Sequence, residues 1–393
     1  GEIALALVLL TGAGLLVRSL ERLQRVHTGF DEDRLLAVPI MPPSSRYAEP
    51  ERALQLYRDV AVAVAALPGI RSVALTNHVP LSGASINTPL EVEGGAARES
   101  DEALFREVDT AYFRTAGIPI VRGRDFTAED LAHPGDAVLV NQALAARYWP
   151  AGDALGKRIT VRKSAQGRPE FGEPVHATIV GVVGNVRHYS LDTDFVPEVY
   201  LPYTVTVWGW MSLVVRTEGD PAAMASTVAR AVRAVEPGLP LEGASFYSRV
   251  YDLPTSLRQS LAYRRFITGL LGAFALPALL LAALGIYGVV AYMVAQRGRE
   301  IGIRMALGAQ RRDVLALVLG EGMRLAGIGV LLGAVGAIAT TRWLRAELYG
   351  TSTTDPLTFG LAAVVLVGVA LLAAMLPARR ATGIDPAGTL RSE

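Results

Sequence analysis

The sequence contains no cysteine and only five histidines in 393 residues. The chain therefore has no disulfide, no thiol nucleophile and no thiolate metal ligand. The histidines are scattered, which argues against a histidine metal centre. The 38 basic and 37 acidic residues nearly cancel, and a net charge of +1 excludes bulk electrostatic attraction to nucleic acid. We expect neither a bound metal nor a nucleic-acid partner.

Charge is also scarce: charged residues make up 19% of the chain and hydrophobic residues 51%. Four apolar runs carry no charge, at 3–17, 266–296, 325–341 and 356–378. A bilayer core of about 30 Å needs roughly 20 helical residues. The runs therefore predict four membrane-spanning helices. The second is long enough to project from the bilayer as a stalk, and the first is short, which we interpret as a truncated start.

The short segments between the runs predict the orientation. The segment 297–313 contains five arginines against Glu300 and Asp313, and the tail after residue 378 is also basic. Positively charged loops stay in the cytoplasm, so the large region 21–264 is predicted to lie outside it. Arg18, Arg22 and Arg25 are then an exception to the rule, since they lie on the outer side.

The outer region 21–264 has the pattern of a water-soluble mixed domain. Helices are predicted at 50–67 and 221–235, each ended by Pro-Gly and followed by an extended segment, at 72–76 and near 239–246. We interpret these as two matching halves of one α/β layer. Between them the pattern predicts a β-rich part with short helices at 111–116 and 142–148. Its predicted strands are 104–108, 137–140, 159–162, 177–183 and 211–215. Loops are predicted around 84–100, 164–174 and 203–210.

The fold class is therefore α+β: four transmembrane helices and a large extracytoplasmic α/β domain with an inserted β-rich subdomain. No catalytic motif is complete in this domain. The segment 151–158 has glycines one residue too close for a phosphate-binding loop, and Arg158 stands where Ser or Thr would hold magnesium. His78 and His188 are interpreted as turn or surface histidines, and Trp208-Gly209-Trp210 as a hairpin rim. We expect no catalytic residue and no ATP hydrolysis by this chain.

Several glycines lie in the apolar runs at spacings that allow helices to approach closely. We favour packing within the four-helix unit over contact between two copies. The apolar runs lack the ionisable groups that an ion or proton path needs, which argues against a channel or secondary transporter. The predicted helix-packing glycines are Gly269, Gly272, Gly285, Gly288, Gly329 and Gly333.

The segment 297–313, RGREIGIRMALGAQRRD, alternates charged and apolar residues. Ile301 with Met305, and Ile303 with Leu307, form pairs four residues apart, which lie on one side of a helix. A short helix of this kind suits the groove of a partner protein. It also suits the inner leaflet, with arginines on lipid headgroups. The pattern alone leaves both interpretations open.

At this segment the sequence resembles a known family. REIGIRMALGAQRRDVLALVLGEG is similar to the loop after the second span of FtsX-like ABC permeases, the group that includes MacB-type exporters. VDTAYFRTAGIPIVRGRDF, VLVNQALAARYWPAGDALGKRI and TIVGVVGNVRH with PEVYLPY resemble the MacB-type periplasmic core domain. The sequence is most similar to the duplicated permeases of acidobacterial type. This resemblance implies that the chain is a C-terminal half.

The resemblance implies a domain plan for a bacterial inner-membrane protein with its large domain in the periplasm. The first transmembrane helix is 1–20, and the periplasmic core domain is 21–264. The second helix with its stalk is 265–296, the coupling segment 297–313 and the third helix 314–341. A short periplasmic loop at 342–355, the fourth helix at 356–378 and a cytoplasmic tail at 379–393 follow.

The resemblance also implies a function. A separate cytoplasmic ATPase binds ATP and magnesium, so this chain needs no cofactor of its own. The motion of the ATPase reaches the periplasmic domain through a coupling helix at 299–309. Such mechanotransmission would drive efflux or extraction of a hydrophobic or amphipathic compound. The coupling residues implied are Arg299, Glu300, Ile301, Gly302, Ile303, Arg304, Met305, Leu307 and Gly308.

Other partners implied are a second permease half, either an identical copy or a fused one, membrane lipids and a periplasmic partner. Two other functions stay open. One is an ATP-driven regulator of a periplasmic enzyme such as a cell-wall hydrolase, and the other is a membrane-anchored binding module without an ATPase. We predict that Met305→Asp uncouples transport and leaves expression intact.

Overall fold

The computed structural model divides the chain into two compact units. One comprises Gly1–Arg25 with Leu261–Glu393, and the other comprises Val26–Ser260. We call them the membrane unit and the outer unit. The residues that the structure describes are 1–82, 86–93, 101–163, 172–188, 191–241, 250–255, 261–307, 309–344 and 348–382.

The helices are numbered in chain order. They are α1 (Glu2–Gln24), α2 (Pro50–Ala65), α3 (Tyr112–Ala116), α4 (Ala128–Ala132), α5 (Gln142–Tyr148), α6 (Pro221–Val235), α7 (Ala262–Gln296), α8 (Gly298–Ala306), α9 (Arg311–Thr341) and α10 (Pro356–Ala381). The strands are β1 (Leu35–Ile40), β2 (Ile70–Thr76), β3 (Asn87–Val92), β4 (Glu102–Val108), β5 (Ile120–Gly123), β6 (Ala137–Asn141), β7 (Arg158–Arg162), β8 (Pro174–Val183), β9 (Glu198–Pro202), β10 (Met211–Thr217) and β11 (Tyr251–Asp252).

Four helices of the membrane unit are long and apolar enough to cross a bilayer: α1, α7, α9 and α10. The helix α7 has 35 residues and continues through Pro277, so it extends about 52 Å, well beyond a bilayer core of about 30 Å. Its buried side is built largely from Ala275, Ala278 and Ala282. Small side chains let helices approach closely, and this replaces hydrophobic burial as the source of packing in lipid.

The α/β layer of the outer unit consists of β11, β1, β10 and β2, all antiparallel neighbours. Both faces of β1 are buried. Leu56 and Val60 of α2, with Val228 and Val232 of α6, belong to the same hydrophobic core as one face of these strands. Phe113 and Ala116 of α3 cover the other face. The two long helices predicted from the sequence therefore share one layer.

The β-rich part closes on itself. Its strands follow the order β4, β3, β7, β8, β6 and β9, and β9 pairs in parallel with β4 to complete a ring of six strands. The strand β5 extends β8 outside this ring. A single residue pair, Thr76 with Val108, joins β2 of the α/β layer to β4 of the ring. The inserted β-rich subdomain is therefore a closed ring that joins the sheet of the layer through this pair and shares its hydrophobic clusters.

The prediction of a loop around 84–100 is wrong for Asn87–Val92, which form β3. Thr88 and Leu90 alternate inward while Asn87, Pro89 and Glu91 point outward, so the strand has a period of two. Pro89 conceals it in the sequence, because proline removes a backbone donor from a strand. Residues 94–100 lie outside the described range. So do 164–171, which hold most of the loop predicted at 164–174, and 242–249, which hold most of the extended segment predicted near 239–246.

Candidate functional site

The segment 297–313 contains the short helix α8, which follows α7 almost without a break. Arg297 is the one residue between them, and its carbonyl accepts a hydrogen bond from the backbone N–H of Ile301 at 2.9 Å. A hydrogen bond from the Gln310 backbone N–H to Asp313 Oδ2, 3.0 Å, begins α9 after the turn. The helix is thus held at both ends by membrane-spanning helices.

The apolar residues of α8 fall on two sides of the helix. Ile301 is 3% exposed and packs in a cluster with Val290 of α7 and Val318 of α9. Met305, one turn later, is half-buried against the same cluster. Ile303 is 42% exposed and Leu307 83% exposed. The four residues that the resemblance implies as partner anchors therefore separate into an inner pair and an outer pair.

The charged residues of α8 join the outer pair. Arg304 Nη2 lies 2.6 Å from Glu300 Oε1, and both side chains are about half exposed. Arg299 is exposed as well. We define the outer face of α8 by five residues, Arg299, Glu300, Ile303, Arg304 and Leu307. Gly302 lies in the middle of the helix, and Gly308 lies outside the described residues.

The predicted packing glycines occupy two kinds of place. A Cβ on Gly333 would lie 3.0 Å from the Cα and the carbonyl oxygen of Ala4, and one on Gly329 would lie 2.7 Å from the Ile3 Cβ. These two glycines bring α9 against α1. A Cβ on Gly285 would meet the flexible carboxylate of Glu2. Among the described residues, a Cβ on Gly269, Gly272 or Gly288 meets nothing within 4 Å.

An ion pair that the sequence analysis missed lies at the other end of the membrane unit. Arg18, in the last turns of α1, pairs with Asp355, the residue that precedes α10. Asp355 also accepts hydrogen bonds from the backbone N–H and the hydroxyl of Thr358. Nearby, the Tyr349 backbone N–H donates to Ser19 Oγ at 2.8 Å. The pair neutralises one of the three arginines that break the charge rule.

The outer unit contains a buried polar cluster, and it overturns the interpretation of His188 as a surface histidine. His188 Nε2 lies 2.7 Å from Glu198 Oε1, and Arg106 Nε lies 3.0 Å from the same oxygen. Tyr200 donates its hydroxyl hydrogen to Glu198 Oε2 at 2.6 Å. All four side chains are buried. Burial lowers the pKa of His188, and the pKa of Glu198 is also lowered, because its cationic and hydrogen-bonding neighbours outweigh its burial.

His78 and the Trp-Gly-Trp segment form a second buried contact. His78 is 3% exposed and packs edge-on against Trp210, with ring centroids 4.9 Å apart. Trp208 is 4% exposed and donates its indole N–H to Glu107 Oε2 at 2.5 Å, so it is a core residue and not a hairpin rim. Burial lowers the pKa of His78 to about 2 and raises the pKa of Glu107 well above its usual value.

Neither cluster resembles a catalytic site. The buried charges of the first cluster pair with one another, Arg106 and His188 with Glu198, as buried ionic groups in a protein interior usually do. Within the described residues, no group of three or more His, Asp or Glu side chains is placed to hold a metal ion. The outer face of α8 is a further surface, on which exposed apolar side chains lie beside charged ones.

Two family descriptions match the chain. Residues 3–235 match the MacB-like periplasmic core domain, and residues 272–386 match the FtsX-like permease C-terminal region. The first match covers more than half of the 393 residues.

Named proteins match between about a third and three quarters of the chain. The macrolide export ATP-binding/permease protein MacB of Marinobacter nauticus is 28% identical over 322 residues, which are 77% of this chain and 46% of that protein. The ABC transporter permease YvrN of Bacillus subtilis is 27% identical over 73% of this chain and 69% of its own length. The pyoverdine export protein PvdT of Pseudomonas syringae is 37% identical over 32% of this chain and 19% of its own. The chain spans about half the length of the MacB proteins that it matches.

Two solved structures align with part of the chain. The periplasmic region of MacB from Actinobacillus actinomycetemcomitans aligns with 61% of this chain and 98% of that chain, at 13% identity and a TM-score of 0.38. The extracellular domain of the transporter YknZ aligns with 55% of this chain and 99% of its own, at 16% identity and a TM-score of 0.33.

Proposed function

The chain belongs to the ABC transporter permease family that has a MacB-like periplasmic core domain and an FtsX-like C-terminal region, and on this basis we propose that it couples ATP hydrolysis by a separate cytoplasmic ATPase to conformational change in its periplasmic domain. It is an inner-membrane protein with four spanning helices and a large periplasmic domain. In this family the ATPase activity belongs to a partner subunit, although several relatives are named as ATP-binding/permease proteins. The outer unit is thus periplasmic, and α8 lies on the cytoplasmic side.

The observation that carries the proposal is the division of α8 into two faces. Ile301 and Met305 fix the helix to the membrane unit, while Ile303 and Leu307 remain exposed beside the Arg304–Glu300 pair. Exposed apolar side chains four residues apart, bordered by charges, are what a helix presents to a partner's groove. Leu307 is 83% exposed, so it is available to a partner.

The covalent path from α8 to the periplasmic domain is short. One residue links α8 to α7, and α7 is a continuous helix of 35 residues that begins directly after the outer unit in sequence. Because the inner face of α8 packs against α7 and α9, force on the outer face reaches both helices. We propose that ATP binding and hydrolysis in the partner move α8, and that α7 carries this motion towards the periplasm.

The proposed cargo is a hydrophobic or amphipathic compound that is exported or extracted in the periplasm without passing between the four helices. Relatives named for macrolide export and pyoverdine export support the export direction. A second permease half, identical or fused, completes the transporter in this proposal. Gly269 and Gly272, three residues apart on one side of α7, leave room for it.

Co-purification tests the partner directly. The protein is tagged, extracted gently from its native membrane and analysed for a stoichiometric ABC ATPase. Leu307→Asp should remove the ATPase while leaving the amount of folded permease unchanged. Val62→Asp is the matched control, since Val62 is 69% exposed on α2 in the outer unit. Retention of the ATPase by Leu307→Asp, or its absence from the unmodified protein, would contradict the proposal.

A further inference from the structure

A groove opens where α7, α8 and α9 meet at the cytoplasmic end of the membrane unit. Its floor is apolar and includes Met293 and Val294 of α7, Ile301 of α8, and Leu317 and Val318 of α9. It is open to solvent on one side, and the space over its floor, open solvent included, is about 380 Å³. The groove does not coincide with the outer face of α8, since none of the five residues of that face lines it.

Two charged residues stand on the rim of the groove, Arg297 and Glu321. Arg297 is exposed and Glu321 half-buried. Within the part of the chain that the structure describes, neither side chain forms an ion pair or a hydrogen bond, and the two do not pair with each other. A cation and an anion that share an apolar groove but remain apart leave space for a ligand that carries both charges.

The groove lies at the level of the inner-leaflet headgroups. Arg297 directly follows the uncharged stretch of α7 at 266–296. On α9, charged residues end at Arg324, and an uncharged stretch continues to Thr341. The rim is therefore placed where apolar helix surface gives way to charge, which is the depth at which lipid phosphates lie.

We propose that this groove binds one inner-leaflet phosphatidylethanolamine. Arg297 donates hydrogen bonds to the lipid phosphate, for which the planar guanidinium is well suited. Glu321 accepts hydrogen bonds from the primary ammonium of the ethanolamine. The first methylenes of an acyl chain cover Met293 and Val294, which lie on the membrane side of Arg297. A lipid in this place ties α7 to α9 beside the inner face of α8.

The carboxylate on the rim determines which lipid fits. Glu321 repels a purely anionic headgroup such as phosphatidylglycerol, because like charges at short distance are unfavourable. Phosphatidylcholine retains the positive charge but has no N–H donor for the carboxylate. Phosphatidylethanolamine satisfies both rim residues, and the selectivity among the three lipids should follow.

Native mass spectrometry of the full protein in detergent tests this with the three lipids at equal acyl composition. The unmodified protein should retain phosphatidylethanolamine about threefold more than either other lipid, within the range that partly exposed ion pairs give. Glu321→Gln should abolish the preference over phosphatidylglycerol while phosphate binding persists. Arg297→Gln should weaken binding of all three lipids. Arg312→Gln is the control with the same charge change, since Arg312 is exposed on α9 and does not line the groove.

The groove itself can be located with a phosphatidylethanolamine that carries a photoreactive acyl chain. Labelling is expected at Met293 or Val294 and should be lost in Arg297→Gln. Equal retention of the three lipids, or equal loss in Arg297→Gln and Arg312→Gln, would overturn the inference. Because the measurement uses the permease alone, its result is independent of whether an ATPase binds α8.

Discussion

Ile301 and Ile303 are two residues apart on α8, yet they face opposite sides of the helix. Ile301 is 3% exposed among residues of α7 and α9, and Ile303 is 42% exposed. An isoleucine therefore stabilises the membrane unit at position 301, and an isoleucine at position 303 is available to a partner. Met305 lies on the inner side with Ile301. Its replacement by Asp is now expected to disturb folding as well as coupling, which makes it a poor test of coupling alone.

A pair of alanine variants separates the two faces. Ile301→Ala should lower the free energy of unfolding by about 2–5 kcal/mol, the range for truncation of a buried isoleucine. Ile303→Ala should change it by less than about 1 kcal/mol, because the side chain is already largely solvated. Thermal unfolding of both variants in detergent measures these changes in stability.

The affinity for the ATPase tests whether Ile303 contacts the partner. Ile303→Ala should weaken binding of the partner by about fivefold or more, as expected for an anchor whose removal exceeds 1 kcal/mol. The opposite assignment would be indicated by a stable Ile301→Ala variant or by unchanged ATPase affinity in Ile303→Ala.

The buried histidine His78 predicts a pH effect on stability. Its pKa is about 2 in the folded protein and 6.5 ordinarily, so the unfolded chain binds the proton first as the pH falls. The stabilisation that the neutral imidazole contributes is complete above pH 6.5 and is lost progressively below it. Between pH 7 and pH 5 this loss amounts to about 2 kcal/mol.

Glu107 acts in the opposite direction, because its raised pKa stabilises the folded state as the pH falls. The His78 effect is therefore measured as a difference. Urea unfolding of the unmodified protein and of His78→Phe, followed by tryptophan fluorescence at pH 7 and pH 5, should show the unmodified protein losing about 2 kcal/mol relative to the variant. A pH-independent difference would mean that His78 is not kept neutral by burial.

The Arg18–Asp355 pair predicts a coupled loss of stability. Arg18→Gln and Asp355→Asn should each reduce the free energy of unfolding by about 1 kcal/mol, since the pair is partly shielded from water. Asn preserves the helix cap that Asp355 provides for α10, so only the ion pair is removed. The double variant should be no less stable than either single one. Additive losses would show that the two residues act separately.

The glycines predict contrasting effects of one substitution. Gly333→Leu places its Cβ 3.0 Å from backbone atoms of Ala4, which cannot yield as a flexible side chain would, and should lose about 2 kcal/mol or more of stability. The Cβ of Gly288→Leu meets nothing within 4 Å among the residues that the structure describes, and this variant should fold. If α7 packs against a second permease half, Gly288→Leu should instead reduce dimer recovery in size-exclusion chromatography. Equal folding yields of both variants would contradict the close approach of α1 and α9.

Much of the architecture follows from local signals. The absence of charge predicts all four spanning helices, although α9 begins at Arg311, well before its uncharged stretch. Helix α5 begins and ends as predicted, because Asn141 caps its first turn and Pro150 follows closely after its last residue. Helix α6 likewise starts at a proline after the capping Asp220.

The remaining features depend on tertiary contacts. His188 and Glu198 are ten residues apart, and only the pairing of β9 with β4 and β6 places Glu198 beside Arg106 in the interior. Periodicity correctly pairs Ile301 with Met305 and Ile303 with Leu307, but it does not tell which pair faces the membrane unit. That choice is made by the residues of α7, α9 and α10 that pack against Ile301.

Hydrogen exchange of the periplasmic unit, with the permease and its ATPase together in membranes, is the most direct test of ATP-driven coupling. Addition of ATP and magnesium should change the exchange of the periplasmic unit in the unmodified protein, and Leu307→Asp should abolish that change while its exchange without ATP stays normal. If the periplasmic response to ATP were the same in Leu307→Asp as in the unmodified protein, α8 would not be the coupling element.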